Sequence, residues 1–225
     1  MTLQEYLGNW TRVLDAKEFS KVLGWLDKLY STKRICPDKE DVFKAFNLCP
    51  FEDLKMVFIG MDPYPQKGVA TGILFGNRSE VQEDNLSPSL KIVKEACINY
   101  EVPHNSIIFD QTLESWARQG ILMINSALTV EMNRIGSHTM LWRPLISKLL
   151  TKLSEVNNGI IYVLFGTQAQ TFAPYINNQL NTVIKVPHPA YHARAGTKMD
   201  PKLFTDLDKL LKSKYGTGID WYQEY

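Results

Sequence analysis

The sequence predicts a single α/β domain over residues 1–225, built on a central four-stranded parallel sheet with helices on both faces. Four short apolar runs, each bounded by turn residues, are typical of buried strands, and segments with apolar residues at helical spacing separate them. Strands that alternate with helices favour a parallel sheet. The 225 residues, 44% of them apolar, are sufficient for one well-buried core.

The N-terminal part of the chain is predicted to be helical up to the first strand. Apolar residues recur at helical spacing over residues 1–31 and again over 41–47, where Cys49 and Pro50 end the pattern. The apolar run 56–59 stops abruptly at a glycine, which is typical of a buried strand followed by a turn.

The rest of the chain supplies three more strands and the helices between them. The predicted strands are 121–124, 159–165 and 182–186, and the predicted helices are 90–99, 111–118, 142–156 and 203–211, with a further helix from 166 to 170. Pro88 lies near the first turn of helix 90–99, where a missing N–H does no harm. We expect Ile219 and Trp221 in the C-terminal tail to pack on the body of the domain.

Charge and cysteine content narrow the class of function. The 25 basic and 24 acidic residues give a net charge of +1, so any surface that attracts nucleic acid must be local. Cys36, Cys49 and Cys97 lack metal-ligand spacing and fit reduced thiols. No signal or transit peptide is recognisable, and no apolar run approaches the ~20 residues that span a bilayer. We expect a cytoplasmic protein without membrane association.

A single acid, Asp62, follows the first strand in a stiff loop. Pro63 and Pro65 remove backbone donors and fix φ, so the chain neither continues as a strand nor turns at once into a helix. An isolated Asp after a strand is usually a turn residue, but a solvated turn does not need two prolines and Tyr64 around it. Because ligands bind at the carboxyl edge of open α/β sheets, Asp62 is a candidate site residue.

The other strand ends deliver further polar groups to the same edge. Asn125 follows the second strand, Gly166 and Thr167 the third, and His188, which lies between two prolines, the fourth. Asn125 is either a turn-former or a ligand contact. The Gly166–Thr167 segment suits a phosphate at a helix start, and a plain strand–helix turn is an equal alternative. A histidine held this stiffly beside an acid and an amide favours catalysis.

An aromatic residue completes the set. The segment 68–76 contains several glycines, which permit close approach of the backbone to a ligand, and Phe75 within it fits the site and ordinary core packing equally well. The sequence contains no nucleophile elbow, no Walker loop and no metal-spaced cluster, and we expect no metal or other cofactor. An acid, an amide, an imidazole and an aromatic ring suit a small, flat, neutral ligand that departs as an anion.

Several motifs, in order, resemble those of family 1 uracil-DNA glycosylases. Residues 60–65, Gly-Met-Asp-Pro-Tyr-Pro, resemble the Gly-Gln-Asp-Pro-Tyr-His motif, and Phe75, 13 residues after Asp62, resembles the family's stacking Phe. The further matches are 122–130 with the strand of the uracil-reading Asn, 87–90 with the serine-proline loop, 165–167 with the Gly-Ser loop, 188–189 with the start of the His-Pro-Ser-Pro loop, and 218–221 with the C-terminal Pro-Ile-Asp-Trp. The resemblance extends from about Val57 to Trp221.

The resemblance implies hydrolysis of the N-glycosidic bond of deoxyuridine in DNA, after the base is flipped into a pocket. Phe75 would stack on the uracil ring. Asn125 would pair with O4 and N3–H, which rejects cytosine because an unpaired buried amide costs about 1–3 kcal/mol. Tyr64 would stand where thymine carries its methyl group.

The same resemblance implies the roles in bond cleavage. Asp62 would stabilise an oxocarbenium-like sugar and orient the attacking water. His188, neutral, would donate to uracil O2 as negative charge develops there, and the backbone amide of Met61 would help.

The implied partner is uracil-containing DNA, single- or double-stranded. Ser87, Pro88 and Ser89 would pinch the DNA backbone, and Gly166 and Thr167 would hold a phosphate, which positions DNA without reading its sequence.

Two departures from the family pattern concern the DNA more than the base. Pro65 replaces the motif's His, as in the poxvirus branch, which also has Asp-Pro-Tyr-Pro. His192 aligns with the intercalating leucine, with Tyr191 just before it, and Arg194 would compensate by contacting a phosphate. We predict a wedge loop of altered behaviour that favours single strands, in which base flipping costs least.

Two alternatives stay open at this stage. The first is a DNA-binding replication accessory protein on the same scaffold, with weak or no catalysis, and exposed apolar surface near the N-terminal helices or at residues 222–225 would support it. The second is an unrelated α/β hydrolase that acts on a small nucleoside. For the glycosylase we expect a monomer that a DNA-mimicking inhibitor or a replication partner can bind.

Overall fold

A computed structural model describes residues 7–225, and its centre is a four-stranded parallel sheet. In chain order the strands are β1 (Ile35–Cys36), β2 (Met56–Gly60), β3 (Ile107–Ile108), β4 (Ile121–Asn125), β5 (Val130–Glu131), β6 (Ile161–Phe165), β7 (Thr182–Val186) and β8 (Gln223–Glu224). The central sheet has the order β4-β2-β6-β7, with every pair parallel. Two small antiparallel pairs, β1 with β5 and β3 with β8, lie outside it.

The helices flank the sheet, so the predicted fold class is confirmed. The α-helices are α1 (Ala16–Thr32), α2 (Lys44–Leu48), α3 (Pro88–Ile98), α4 (Glu114–Arg118), α5 (Thr139–Val156), α6 (Gly166–Gln170), α7 (Pro189–Ala195) and α8 (Lys202–Tyr215), and the short 3₁₀ helices are Gly8–Arg12, Lys39–Asp41, Phe51–Asp53, Glu83–Asn85 and Ala173–Tyr175. None of the helices within residues 7–225 has both the length and the apolar character that crossing a membrane requires.

The helical prediction for 1–31 is confirmed within the described residues, and one loop prediction is corrected. The helical pattern corresponds to the 3₁₀ helix Gly8–Arg12 and to α1, which Asp15 caps by accepting the N–H groups of Lys17 and Glu18, both at 3.0 Å; residues 1–6 lie outside the described part. The stiff loop expected after His188 is instead the short helix α7. Pro189 occupies its first turn, where a missing N–H is tolerated, and Gly196 ends it in the left-handed conformation.

The register of the central strands decides which residues meet at the carboxyl edge. Gly60 at the end of β2 pairs with Asn125 at the end of β4, and Phe165 at the end of β6 pairs with Val186 at the end of β7. β2 and β6 are buried along their whole length, and Met56 to Ile59 of β2 pair in register with Ile161 to Leu164 of β6. The ends of the strands are therefore level.

The C-terminal tail docks on the body of the protein, as predicted. The Trp221 ring lies edge to face with Trp116 at 4.9 Å and with Phe204 at 5.0 Å, and Trp116 Nε1 donates to the Trp221 carbonyl at 2.9 Å. Ile219 is buried beside them. Burial of each such side chain contributes roughly 1.5–3 kcal/mol, so the tail ties α4 and α8 together below the sheet edge that carries the polar groups.

Candidate active site

A pocket opens at the carboxyl edge of the sheet, where the sequence predicted a site. Its empty space, including the mouth, is about 470 Å³. Six of the predicted site residues line it: Asp62, Tyr64, Phe75, Ser89, Asn125 and His188. The level strand ends bring these residues together from β2, β4 and β7 and from the segments between them.

Asp62 lies directly after β2 and is half-buried. Its Oδ2 accepts a hydrogen bond from the backbone N–H of Gly136 at 2.6 Å. Burial raises the pKa of the Asp62 carboxyl above its ordinary value, and the N–H groups of Gly136 and of Asp62 itself oppose that rise. The carboxylate is therefore held in one orientation at the pocket wall. Sequence reasoning missed Gly136, although the Gly-Ser-His segment before α5 was the available signal.

Asn125 presents an amide oxygen with no partner. Its Oδ1 is buried and forms no hydrogen bond, and it lies so close to Gly60 that a Cβ added there would be 2.7 Å from it. A buried polar atom without a partner costs about 1–3 kcal/mol, which a ligand can recover by supplying a donor. The glycine at position 60 is thus required for space, and the Asn125 amide oxygen is available to an N–H donor.

Phe75 forms an aromatic wall of the pocket and is also part of the core. Its ring lies edge to face with Phe165 at 5.1 Å and with His188 at 5.5 Å. The backbone of Phe75 has φ +64°, which is uncommon for a bulky residue and is often found at functional sites. Tyr64 Oη donates to the Phe75 carbonyl oxygen at 3.3 Å, so the two rings are held in a fixed relation.

His188 caps α7 and is held as a neutral imidazole. Its Nδ1 accepts the backbone N–H of Ala190 at 3.1 Å, which places the proton of the neutral ring on Nε2. Burial, and then the charge of Arg194, lower the pKa of His188 to about 4. The ring is therefore a neutral N–H donor across the physiological range.

Met61 and the serine-proline segment surround the pocket. Met61 is not among the residues that line it, and its carbonyl accepts the N–H of Ala127 at 2.9 Å and the hydroxyl of Ser126 at 3.0 Å. Ser89 is buried and lines the pocket. The Ser87 hydroxyl accepts from Asn77 Nδ2 at 2.8 Å.

Pro88 begins α3, between these two serines. The Ser87 N–H donates to Asn77 Oδ1 at 2.7 Å, so Asn77 holds Ser87 through both its amide oxygen and its amide nitrogen. Sequence reasoning missed Asn77, which lies ten residues before Ser87.

The remaining predicted residues lie outside the pocket lining. Gly166 and Thr167 begin α6 directly after β6, and Thr167 is exposed. Tyr191 is 55% exposed on α7, whereas His192 Nδ1 shares a hydrogen bond with Thr197 Oγ1 at 3.0 Å. Tyr191, rather than the residue that aligns with the family leucine, is therefore the projecting side chain of this segment, and Arg194 is exposed beside it.

The described residues provide no preformed metal cage. Within residues 7–225, no three His, Cys, Asp or Glu side chains come together as a possible metal site. The donor set is one carboxylate, one unpaired amide, one neutral imidazole and aromatic walls, which together recognise a flat ligand and stabilise charge on either side of a breaking bond.

The fold and the pocket define an α/β protein with a small polar ligand site at the carboxyl edge of a parallel sheet. The chain belongs to the uracil-DNA glycosylase superfamily, whose family model matches residues 46–212. It is 33% identical over 212 residues to the uracil-DNA glycosylase of Buchnera aphidicola, covering 92% of each chain. It is 32% identical over 230 residues to that of Coxiella burnetii, covering 98% of this chain and 97% of that one.

A solved structure has the same fold. A mimivirus UNG variant in complex with UGI matches with a TM-score of 0.75 at 24% identity, over 90% of this chain and 80% of that one. The family match overturns the alternative of an unrelated α/β hydrolase.

Proposed function

We propose that this protein is a uracil-DNA glycosylase, which hydrolyses the N-glycosidic bond of deoxyuridine in DNA and leaves an abasic site. The observation that carries the proposal is the buried, unpaired Oδ1 of Asn125, a residue that lines the same small pocket as Asp62, Phe75 and His188. Uracil N3–H supplies the donor that this oxygen lacks. Relatives at about one-third identity that carry this name support the same function.

Recognition of the base follows from the pocket walls. Phe75 stacks on the uracil ring, and the Asn125 amide pairs with N3–H and O4. Cytosine presents the reverse pattern of donor and acceptor and leaves the amide oxygen unpaired. Tyr64, fixed by its bond to the Phe75 carbonyl, occupies the space that the thymine methyl group requires. A base inside a duplex cannot reach these groups, so the nucleotide is flipped out.

Bond cleavage uses two groups that line the pocket, Asp62 and His188. A water molecule attacks C1′ while the C1′–N1 bond breaks, and the electron pair of that bond leaves with uracil. The Asp62 carboxylate stabilises the positive sugar and accepts the proton of the water. Negative charge on the departing base collects at O2, where His188 Nε2–H donates. The backbone amide of Met61 is a further donor in this proposal.

DNA contacts come from the rim. Ser87, Pro88 and Ser89 clamp one phosphate, and Gly166 and Thr167 bind another through backbone and hydroxyl donors. These contacts position the strand without reading sequence, and their number sets the salt dependence of binding.

The projecting side chains of α7 act on the strand as well. Tyr191, 55% exposed, stacks in the space that the flipped base vacates. Arg194 contacts a phosphate, and His192 supports the segment through Thr197.

The finer assignment is to family 1, in the branch with the Asp-Pro-Tyr-Pro motif. Pro65 lacks the hydrogen-bonding side chain of the common motif, and its carbonyl accepts the N–H of Asn133 at 3.0 Å, which ties the Asp62 loop to the segment before α5. We propose one domain over residues 1–225 that acts as a monomer. A protein that mimics DNA would fill the same groove, and the mimivirus relative was solved with UGI bound.

A second function is favoured by one observation. Ile108 and Tyr225 are 55% and 71% exposed on or beside the paired strands β3 and β8, near the C-terminal residues expected to support an accessory role. A DNA-binding accessory protein would use this surface for a replication partner while hydrolysis stays weak.

One experiment separates the two functions. A synthetic oligonucleotide with one uracil is incubated with the protein, and free uracil and the abasic strand are quantified by mass spectrometry, beside oligonucleotides with cytosine or thymine at the same place. Stoichiometric free uracil and no other base supports the glycosylase. Intact DNA with tight binding supports the accessory protein.

A further inference from the structure

A buried polar cluster lies behind the Asp62 loop and takes no part in the proposed chemistry. It consists of Thr129, His138 and Trp142, which are 0%, 5% and 0% exposed. Trp142 Nε1 donates to Thr129 Oγ1 at 2.7 Å, and Thr129 Oγ1 shares a hydrogen bond of 2.9 Å with His138 Nδ1. The indole N–H can only donate, so the threonine hydroxyl accepts from Trp142, and which group donates in its bond to His138 depends on the imidazole tautomer.

The cluster anchors the segment that contacts Asp62. His138 precedes α5, and its carbonyl accepts the N–H of Trp142 at 3.1 Å. Gly136, two residues earlier, donates its N–H to Asp62 Oδ2 at 2.6 Å. Its carbonyl is held by the N–H and the hydroxyl of Thr139, at 3.2 and 3.0 Å. The position of one catalytic hydrogen bond thus depends on a short turn with a buried end.

Gly136 cannot be replaced by a side chain that would hold the turn from outside. Its φ is +78°, and a Cβ added there would lie 3.3 Å from the methyl group of Met61. The turn at Gly136 must therefore be held in place by neighbouring residues, and of these His138 has a buried side chain.

We propose that His138 is a positioning residue, which through its bond to Thr129 keeps the Gly136 N–H aimed at the Asp62 carboxylate. The inference rests on the proposed function of Asp62. Without the anchor the turn shifts, the Gly136 donor is lost from the carboxylate, and burial then acts on Asp62 with less opposition. The protonated, inactive form of Asp62 persists to higher pH.

The charged neighbours of both groups are few. Burial, followed by the charges of Lys33 and Arg134, lowers the pKa of His138, whereas Glu131 and a backbone hydrogen bond at Thr129 raise it. All three charged groups are exposed or half-buried. Glu131 forms an ion pair with Lys33 at 2.9 Å and another with Arg134 at 2.8 Å. At the pocket, the other titratable side chains that face Asp62 are Tyr64 and His188.

Four variants of the full chain test the proposal. Thr129→Val keeps the volume and removes the hydroxyl, His138→Leu removes the hydrogen-bonding ring, and His138→Asn retains a hydrogen-bonding group close to the position of Nδ1. Ser154→Ala is the matched control, because Ser154 is also fully buried on α5 and its hydroxyl both donates to Thr151 and accepts from Asn177, at 3.0 Å each.

The readouts are the single-turnover rate of uracil release against pH, and the dissociation constant for the same DNA. We expect Thr129→Val and His138→Leu to lower the rate about tenfold, the value of one hydrogen bond to a charged group. We expect the acidic limb of the profile to move up by about one pH unit at an unchanged dissociation constant. His138→Asn should keep the wild-type profile, and Ser154→Ala should lose stability only.

A wild-type rate and acidic limb in a folded Thr129→Val protein would overturn the proposal. Failure of the proposed function is a separate result, seen as no uracil release by the wild type. In that case the positioning role of His138 is tested by the pKa of Asp62, which is measured in wild type and Thr129→Val from the ¹³C chemical shift of the carboxyl group as a function of pH. A higher pKa in the variant supports the positioning role, and an equal pKa overturns it.

Discussion

The imidazole of His188 lies edge to face against the ring of Phe75, with centroids 5.5 Å apart. This contact buries the imidazole at the pocket wall, and Ala190 N–H occupies its Nδ1 at 3.1 Å. The only proton that a neutral ring can carry is then on Nε2. The ring that we propose to stack on the base therefore also helps to keep His188 uncharged.

Burial of a neutral His188 makes stability depend on pH. The pKa is about 4 in the folded protein against 6.5 in the unfolded chain, so between these values the unfolded state binds more protons and stability falls as pH falls. We expect the wild type to lose up to about 3 kcal/mol more than His188→Gln between about pH 7.5 and about pH 4.5. Urea unfolding at both pH values measures the difference, and equal losses in the two proteins would refute the buried neutral state.

Asn125 should decide which base is released. Asn125→Asp presents a group with the wrong pattern for uracil, and we expect uracil release to fall about 5- to 150-fold, the equivalent of about 1–3 kcal/mol. The variant should gain measurable release of cytosine. Asn125→Ala is the control, because we expect it to lose uracil release without gaining cytosine release. Cytosine release by both variants, or by neither, would mean that Asn125 does not read the base.

Tyr64 should exclude thymine by its ring rather than by its hydroxyl. We expect Tyr64→Ala to release thymine from DNA, because the space for the methyl group is opened, and to lose about 2–4 kcal/mol of stability. Tyr64→Phe keeps the ring and loses the hydroxyl with its 3.3 Å bond to the Phe75 carbonyl and its hydrogen bonds to Ser87 and Ser89, so it should still reject thymine. Thymine release by the Phe variant would place the selectivity in the orientation of Phe75 instead.

The polar residues at the strand ends could be predicted from the sequence because a local sequence signal marks each of them. Apolar runs stop at Gly60, two residues before Asp62, at Asn125 and at Gly166, and prolines flank His188. The Gly136 donor could not be predicted, because its contact with Asp62 joins residues 74 positions apart and uses only backbone atoms. The bond between Thr129 and His138 likewise depends on how α5 packs.

The structure of α7, which carries the residue that aligns with the family's intercalating leucine, could not be predicted from the sequence either, although its contacts join residues that are close in the chain. The sequence predicts a loop stiffened by Pro189, whereas Pro189 starts α7, and the helix turns His192 toward Thr197 and leaves Tyr191 exposed. Alignment of His192 with the family leucine did not reveal this, because the periodicity of one short helix cannot be recognised between two prolines and a glycine.

Tyr191 should matter for duplex DNA more than for single strands. Holding a base out of a duplex costs unstacking energy, and a stacked aromatic ring repays about 1–3 kcal/mol. We expect Tyr191→Ala to slow release from duplex DNA by about tenfold and to leave single-stranded substrate nearly unchanged. The wild type should itself prefer single strands. Rates measured on matched single- and double-stranded oligonucleotides test both statements, and a wild-type preference for duplex would contradict the second.

The most direct measurement is single-turnover release of uracil in EDTA by the wild type and by Asp62→Asn, with DNA binding measured in parallel. Asn keeps the size of the side chain and an acceptor for Gly136 N–H, but it carries no charge and accepts no proton. We predict fast release by the wild type, a fall of at least about a hundredfold in the variant, and unchanged binding. Equal rates in the two proteins, or DNA binding without release by the wild type, would contradict the glycosylase assignment of this pocket.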